Sequence, residues 1–341
     1  MEALHAIEIA ITFWAQSMGE SIAPFMKAVT MLGNEEFYML VMPLLFWCIE
    51  PMFGLRIGVM LILSNWVNSI AKLALHTSRP YWFEPAVRAF ISEKSFGAPS
   101  GHAQNAASLW GLAAALIRKP WATAALLSVV FLIGFSRIFL GVHFTSDVVL
   151  GWLLGGLLLL LYLRVEPTLT RWLKTLSLAR QIGLVCLVAL LMVVIGLVPH
   201  ALLANWQMPA GWLENIAITS PDHLPDPTSI TGLFTITGTF LGMGIGAACY
   251  LSKYRRYDVS GSIFRRALRF VVGLAGILIL WFGLGELFPR GETWLPAILR
   301  LFRYSLVTFW MSAAAPWLFI QLGLSSPDII PSITGGTYEE N

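Results

Sequence analysis

Charged side chains are scarce in this chain: only 12% of its 341 residues are Asp, Glu, Lys or Arg, against roughly 25% in a soluble domain. Hydrophobic residues make up 57% and the mean hydropathy is +0.73. This composition excludes a water-soluble globule and a disordered chain. The net charge is only +3, and the basic residues fall in a few clusters, so we expect no nucleic-acid partner.

Cysteine is scarce as well. Cys48, Cys186 and Cys249 lie far apart in apolar stretches, which excludes a disulfide framework. No Cys-x-x-Cys, His-Glu-x-x-His or similar cluster with metal-ligand spacing is present, so we expect no metal and no cofactor. The first residues contain no early Lys or Arg and no small-residue cleavage site, so we expect no signal peptide.

Long apolar runs predict an all-α, multi-pass membrane protein with about nine transmembrane helices, since one span needs about 20 apolar residues. The predicted spans lie at about 36–49, 52–75, 98–117, 120–141, 145–164, 181–199, 228–251, 267–288 and 297–323. Asn34 is interpreted as the N-cap of the first span, with Glu35 and Glu36 in its first turn.

Four regions are expected along the chain. Residues 1–33 form an interfacial segment, with a tenth span as the alternative, and residues 34–165 form a helical core that contains the motifs described below. Residues 166–324 add further transmembrane helices, and residues 325–341 form a polar tail.

The positions of Lys and Arg predict the orientation in the membrane, because cytoplasmic loops carry the excess of these residues. Most of them fall on one side of the predicted spans: Arg56, Arg118, Lys119, Arg164, Arg171, Lys174, Arg180, Lys253, Arg255, Arg256, Arg265, Arg266 and Arg269. The loop from Pro199 to Pro227 has no Lys or Arg and is expected on the opposite, extracytoplasmic side.

Glycine and tryptophan patterns add two structural expectations. Gly238, Gly242 and Gly246 recur at four-residue spacing, as do Gly151 and Gly155, and such spacing predicts closely packed helices. Trp206 and Trp212 in the outer loop, with Trp294, are interpreted as part of an aromatic belt at the membrane interface.

The first polar motif follows the span at 52–75. Asn65, Asn68 and Lys72 form a polar stripe along one side of this helix. Pro80 disfavours helix at Arg79, so we expect the helix to end there and Arg79 to turn back toward Lys72. The alternative is that both cations only extend to the membrane interface.

The second motif is Pro99, Ser100, Gly101 and His102, at the start of the span at 98–117. A helix N-terminus presents unpaired N–H groups and a positive dipole end, so this motif predicts an anion site, with Gly101 permitting a close approach. Ordinary helix capping is the alternative.

The third motif contains Ser136 and Arg137 at the end of one span, and His143 and Asp147 at the start of the next. At i and i+4 the carboxylate of Asp147 can fix the tautomer of His143 and leave the other ring nitrogen free to attack, although such a pair can also be structural. All three motifs are expected on the same outer side. Together they offer cations, backbone donors and two imidazoles, which suits phosphoryl transfer without a metal.

These three strings resemble the signature motifs of the type 2 phosphatidic acid phosphatase superfamily. Lys, six residues and Arg-Pro are matched by Lys72, Arg79 and Pro80, and Pro-Ser-Gly-His is matched by residues 99–102. Ser-Arg, five residues, His, three residues and Asp are matched by residues 136–147, with no departure at any motif position. The resemblance covers about residues 34–165. The string LGNEEFY is similar to the sphingosine-1-phosphate phosphatase branch, and SRPYW to the glucose-6-phosphatase branch.

The resemblance implies a role for each motif residue. His143 would be the nucleophile that forms a phosphohistidine, Asp147 would orient it, and His102 would protonate the leaving alkoxide. The phosphoryl oxygens would be held by Lys72, Arg79, Arg137, Ser100 and the N–H of Gly101.

The implied function is hydrolysis of a lipid phosphate monoester, such as phosphatidate or a sphingoid-base phosphate, by an integral membrane phosphatase without a metal. The substrate would enter from the bilayer with its head group at the cations. The alternatives are an isoprenoid pyrophosphate phosphatase or a lipid phosphotransferase that uses the same site, and a non-enzymatic transporter. The sequence leaves the oligomeric state open.

Overall fold

The computed structural model describes residues 2–254, 256–289, 291 and 293–328. Most of the predicted polar tail therefore lies outside the described residues, as does Arg255. In the described part the chain is all-helical and contains no β-strand.

Fifteen α-helices are connected by short loops and helical turns. They are α1 Glu2–Gln16, α2 Ala23–Met31, α3 Glu35–Leu44, α4 Pro51–Leu75, α5 Pro80–Phe83, α6 Gly101–Asn105, α7 Gly111–Ile117, α8 Pro120–Phe139, α9 Thr145–Leu173, α10 Leu178–Leu202, α11 Ala210–Thr219, α12 Thr231–Lys253, α13 Ile263–Leu287, α14 Trp294–Phe309 and α15 Ala315–Gln321. Three π-helical turns, Leu45–Ile49, Ala106–Trp110 and Trp310–Ala314, follow α3, α6 and α14.

Six helices among the described residues are long and apolar enough to cross a membrane: α4 (with α5 counted in the same segment), α8, α9, α10, α12 and α13. They correspond to six of the predicted spans. The count of nine is not confirmed, because the segments near 36–49, 98–117 and 297–323 are each built from shorter helices and a π-helical turn. A π-helical turn changes the direction in which the following side chains point, a feature that hydropathy alone does not reveal.

The predicted close packing at the glycines is confirmed. A Cβ atom on Gly242 would lie 1.9 Å from the carbonyl oxygen of Ser305, so α12 contacts the backbone of α14 directly. A Cβ atom on Gly155 would lie 2.4 Å from the carbonyl oxygen of Gln104. Helix α9 is therefore pressed against α6, and these two helices contribute the second and third motifs.

The polar stripe of α4 connects that helix to α6. Asn68 donates through Nδ2 to Gln104 Oε1 at 2.9 Å, and Asn105 donates through Nδ2 to Asn65 Oδ1 at 2.8 Å. Side-chain hydrogen bonds of this kind hold helices together where the surroundings are apolar. The stripe thus fixes the first motif relative to the second.

Candidate active site

The three motifs meet at one end of the helix bundle. The end of α4, the start of α6, the end of α8 and the start of α9 converge there, and the loop of residues 84–100 lies between them. Direct hydrogen bonds join the motifs: Ser100 N donates to the carbonyl oxygen of Asp147 at 3.0 Å, and Arg79 reaches His143. The structure thus brings all the residues expected at the site into one cluster.

His143 and Asp147 form a buried pair at the start of α9. Nδ1 of His143 lies 3.2 Å from Asp147 Oδ2, and the N–H of Phe144 donates to the same oxygen at 3.0 Å. His143 is 1% exposed and Asp147 is 3% exposed. Burial, followed by the charges of Arg79 and Lys72, lowers the pKa of His143 well below its ordinary value. The imidazole is therefore neutral at pH 7 and keeps a lone pair.

Arg79 identifies which ring nitrogen of His143 carries that lone pair. Its Nη1 donates to the carbonyl oxygen of Val142 at 2.8 Å and lies 3.2 Å from His143 Nε2. Its Nε and Nη2 donate to the Ser95 carbonyl, the Ser95 hydroxyl and the Phe96 carbonyl. Because a guanidinium has five N–H groups and accepts no hydrogen bond, Nε2 must be the acceptor and Nδ1 the protonated nitrogen. All five donors of Arg79 are in use.

Lys72 binds the same loop as Arg79. Its Nζ donates to the carbonyl oxygens of Phe96 at 2.5 Å and Gly97 at 3.1 Å. Helix α4 ends at Leu75, where the predicted span 52–75 ends but one turn before the expected end at Arg79. Residues 76–79 then lead to Arg79, the N-cap residue of α5. The two cations nevertheless converge, as expected, because both donate to the carbonyl oxygen of Phe96.

Arg137 is the third cation of the site and is 1% exposed. Its Nη1 donates to Thr30 Oγ1 at 2.8 Å, and its Nη2 forms an ion pair with Glu93. Burial alone would raise the pKa of Glu93, but the charges of Arg137 and Arg79 outweigh burial and hold this pKa well below its usual range. Sequence reasoning missed Thr30 and Glu93, since each lies outside the motifs and neither has a distinctive local pattern.

The second motif begins a helix as predicted. Ser100 is fully buried, and its Oγ accepts a hydrogen bond from the N–H of Ala103 at 3.4 Å, so it also serves as the N-cap. A Cβ atom on Gly101 would lie 3.1 Å from Asn68 Oδ1. Glycine at this position therefore leaves space for the polar stripe of α4 as well as for an anion.

His102 has a partner that the motif did not predict. Its Nε2 lies 2.5 Å from Oδ1 of Asn34. Asn34 does occupy the N-cap position of α3, but its side chain makes no hydrogen bond to that helix. The predicted capping role is therefore wrong for this side chain, because its amide is turned toward His102 instead.

The loop of residues 203–230, named the outer loop after its expected side of the membrane, covers part of the site. The ring of Trp206 lies 5.1 Å from that of Phe96, and the ring of Trp212 lies 5.8 Å from that of Trp82. Trp82 in turn lies beneath the guanidinium of Arg79, at 5.9 Å. Trp206 and Trp212 thus pack onto the segments that hold the cations, and their interpretation as an aromatic belt stays a prediction.

Hydrogen bonds also hold this loop against the site. Asn215 in α11 donates through Nδ2 to the carbonyl oxygens of Trp82 and Phe83 at 3.0 and 3.1 Å. The hydroxyls of Ser220 and Ser92 lie 2.6 Å apart. Part of the C-terminal half of the chain therefore helps to build the site, a role that the sequence did not reveal.

Comparison with known proteins gives two family matches and several relatives. Residues 53–171 match the PAP2 superfamily, and residues 234–327 match the transmembrane extension of PAP2 superfamily phosphatases. Phosphatidylglycerophosphatase B of Bacillus subtilis is 31% identical over 43% of this chain and 76% of its own length. Sphingosine-1-phosphate phosphatase 2 of Mus musculus is 33% identical over 38% of each chain. Glucose-6-phosphatase catalytic subunit 1 of Mus musculus is 26% identical over 100% of this chain and 99% of its own.

Proposed function

The chain belongs to the PAP2 superfamily of membrane phosphatases, and from this premise we propose that it hydrolyses a lipid phosphate monoester through a phosphohistidine on His143. The observation that carries this proposal is the arrangement around His143. Nδ1 is held by Asp147 while the lone pair of Nε2 faces Arg79, in a cluster with Lys72 and Arg137. A neutral, oriented imidazole beside three cations suits attack on a phosphate dianion.

The first step transfers the phosphoryl group to the enzyme. Nε2 of His143 attacks phosphorus, the bond from phosphorus to the ester oxygen breaks, and its electron pair remains on that oxygen. His102 donates a proton to the oxygen, so the alcohol leaves neutral. Once the lone pair of Nε2 is bonded to phosphorus, one N–H of Arg79 Nη1 loses its acceptor and can bind a phosphoryl oxygen. Lys72, Arg137, Ser100 and the N–H of Gly101 hold the remaining oxygens.

The second step releases inorganic phosphate. A water molecule attacks phosphorus from the side that the alcohol has left, and His102, now neutral, takes a proton from it. The bond from phosphorus to Nε2 breaks and its electron pair returns to the nitrogen of His143. No metal is required, because the cations of the chain neutralise the phosphoryl charge.

The membrane setting favours a lipid substrate. The chain is a multi-pass membrane protein with six candidate spans, and two of its relatives are named for lipid phosphates. We place the site on the extracytoplasmic face, because the basic clusters mark the opposite side as cytoplasmic. In this proposal residues 34–165 are the phosphatase core, residues 166–324 are additional membrane helices and residues 1–33 are an interfacial segment.

A sugar phosphate is the second candidate. The match to glucose-6-phosphatase catalytic subunit 1 covers the whole chain and therefore includes the outer loop of residues 203–230. Aromatic rings that cover the site, such as Trp206 and Trp212, can contact either an acyl chain or a sugar ring. The reaction and the roles of His143 and His102 are the same for both substrates.

The substrate class can be decided with purified protein in detergent. Phosphatidate, sphingosine 1-phosphate, phosphatidylglycerophosphate, undecaprenyl pyrophosphate and glucose 6-phosphate are incubated with it in EDTA, and released phosphate is measured beside His143→Ala. We expect one lipid monoester to be preferred and the variant to be inactive. Preference for glucose 6-phosphate would favour the second candidate, and full activity of His143→Ala would overturn the proposal.

A further inference from the structure

The junction between α2 and α3 reaches two residues of the site. Thr30, at the end of α2, accepts a hydrogen bond from Arg137, and Asn34, just before α3, binds His102. Both residues precede the segment that matches the PAP2 superfamily, which begins at residue 53. The N-terminal part of the chain thus contacts an expected phosphate ligand and the expected general acid.

The contact with His102 involves one defined edge of its ring. Nε2 lies 2.5 Å from Asn34 Oδ1, and a Cβ atom on Gly33 would lie only 3.1 Å from the Cδ2 atom of the same ring. Gly33 and Asn34 therefore enclose the edge formed by Cδ2 and Nε2. The other ring nitrogen, Nδ1, lies on the opposite edge, away from this junction. Because an amide oxygen only accepts hydrogen bonds, Nε2 must carry a proton.

We propose that Asn34 is a positioning residue that holds His102 through Nε2, so that Nδ1 exchanges the proton with the leaving oxygen. The inference rests on the proposed function, in which His102 is the general acid. In the first step the imidazolium gives its Nδ1 proton to the alkoxide and becomes neutral, while Nε2 keeps its proton and its hydrogen bond to Asn34. In the second step Nδ1 takes a proton from water and the imidazolium is restored.

The two histidines of the site then differ in the chemistry of their partners. His143, the nucleophile, is held by the carboxylate of Asp147, which stabilises the positive charge that develops on the ring as Nε2 attacks. His102 is held by a neutral amide, and the charged groups that act on its ring from the neighbouring segments are Arg137, Glu93, Lys72 and Arg79. An amide orients the ring without stabilising its protonated form as a carboxylate would, so His102 remains a strong enough acid to protonate an alkoxide.

Substitution of Asn34 tests this assignment through the pH dependence of kcat. In Asn34→Asp a carboxylate of the same shape faces His102 and favours its protonated form. We expect the basic limb of the kcat profile to move to higher pH by about one unit or more, with a lower kcat on the plateau because the acid is weaker. Gln321→Glu, which adds the same charge at the exposed end of α15, should leave the limb in place.

The dependence on the leaving group gives a second readout. Asn34→Ala should lower kcat for an alkyl phosphate by about tenfold or more, and it should lower kcat for an aryl phosphate much less, because a phenolate leaves without full protonation. KM should change little for either substrate. His102→Ala should show the same selective loss. The ratio of kcat for the alkyl phosphate to kcat for the aryl phosphate does not depend on the fraction of correctly folded enzyme. The pH of the basic limb does not depend on this fraction either.

The outcomes separate this inference from the proposed function. If His143→Ala is inactive, while Asn34→Asp leaves the basic limb unmoved and Asn34→Ala loses equal activity on both substrates, Asn34 is merely structural and the inference is wrong. If His143→Ala retains activity, the proposed function itself fails. A moved limb together with a selective loss on alkyl phosphates supports both.

Discussion

Nη1 of Arg79 lies 3.2 Å from Nε2 of His143, so the lone pair of the proposed nucleophile faces a guanidinium in the free enzyme. The other four N–H groups of Arg79 bind carbonyl and hydroxyl oxygens. Arg79 thus acts first as an anchor that fixes the loop of residues 95–97 and the tautomer of His143. In the proposed mechanism it becomes a ligand for the phosphoryl group only when Nε2 has bonded to phosphorus.

Replacing Asp147 by Asn should abolish most of the activity with little change in fold. Nδ1 of His143 and the N–H of Phe144 both bind Oδ2 of Asp147, so an amide oxygen at that position keeps both hydrogen bonds. A neutral amide, however, does not stabilise the positive charge that develops on the ring as Nε2 attacks. We expect kcat to fall by about a thousandfold or more, as measured under saturating substrate, while thermal stability changes little. A loss of less than tenfold would mean that the negative charge of Asp147 does not assist His143.

Acidification should destabilise the folded protein through His143. Its pKa is lowered below the ordinary 6.5 by burial and then by Arg79 and Lys72, so below about pH 6.5 the unfolded chain binds the proton more readily than the folded one. The folded protein therefore becomes less stable as the pH is lowered below about 6.5.

The thermal midpoint in detergent, measured between pH 7.5 and 5.5, checks this effect. We expect the midpoint to fall as the pH is lowered, and the fall should be smaller in His143→Gln. An equal fall in the variant would show that other groups cause it. Glu93 contributes little in this window, since its lowered pKa places its loss of stability below about pH 4.5.

Two neighbouring glycines of α9 provide a matched test of helix packing. A Cβ atom on Gly155 would lie 2.4 Å from the carbonyl oxygen of Gln104, whereas one on Gly156 would meet no atom within 4 Å. Gly155→Leu should separate α9 from α6 and prevent formation of the site, so we expect little folded protein and no activity. Gly156→Leu should behave like the unmodified chain. Similar yields and activities for the two variants would contradict the packing described.

The outer loop should affect catalysis although it lies between the two segments matched by the family. Trp206 contacts Phe96, whose carbonyl oxygen binds both Lys72 and Arg79. Trp206→Ala should therefore lower kcat/KM by about tenfold, because Phe96 loses a packing partner and its carbonyl oxygen then holds Lys72 and Arg79 less firmly. Trp121→Ala removes a ring that is 71% exposed and serves as the control. If the two variants have equal kcat/KM, the loop is not part of the site.

The sequence predicted those parts of the molecule that depend on local pattern. Composition and hydropathy predicted an all-helical membrane chain, and glycine spacing predicted close contacts such as that of Gly242 with α14. The i, i+4 spacing of His143 and Asp147 predicted their hydrogen bond. In each case the information lies within one helix or at its end.

Contacts between distant segments could not be predicted in the same way. Asn34 stands where a helix begins and has the residue type of an N-cap, so its local pattern indicated a role that its side chain does not perform. Glu93 and Thr30 reach Arg137 only because the folded chain brings three separate segments together. The π-helical turns likewise interrupt the α-helices of three predicted spans without any signal in the hydropathy.

The proposed mechanism requires a covalent phosphohistidine on His143, and this intermediate can be trapped. Enzyme and the preferred lipid phosphate are mixed in a single turnover, stopped in alkali, and digested for mass spectrometry. We predict an acid-labile, alkali-stable phosphoryl group on the peptide that contains His143; it should form before inorganic phosphate is released and be absent from His143→Ala. Release of phosphate at the full rate with no phosphorylated His143 at any time would contradict the account.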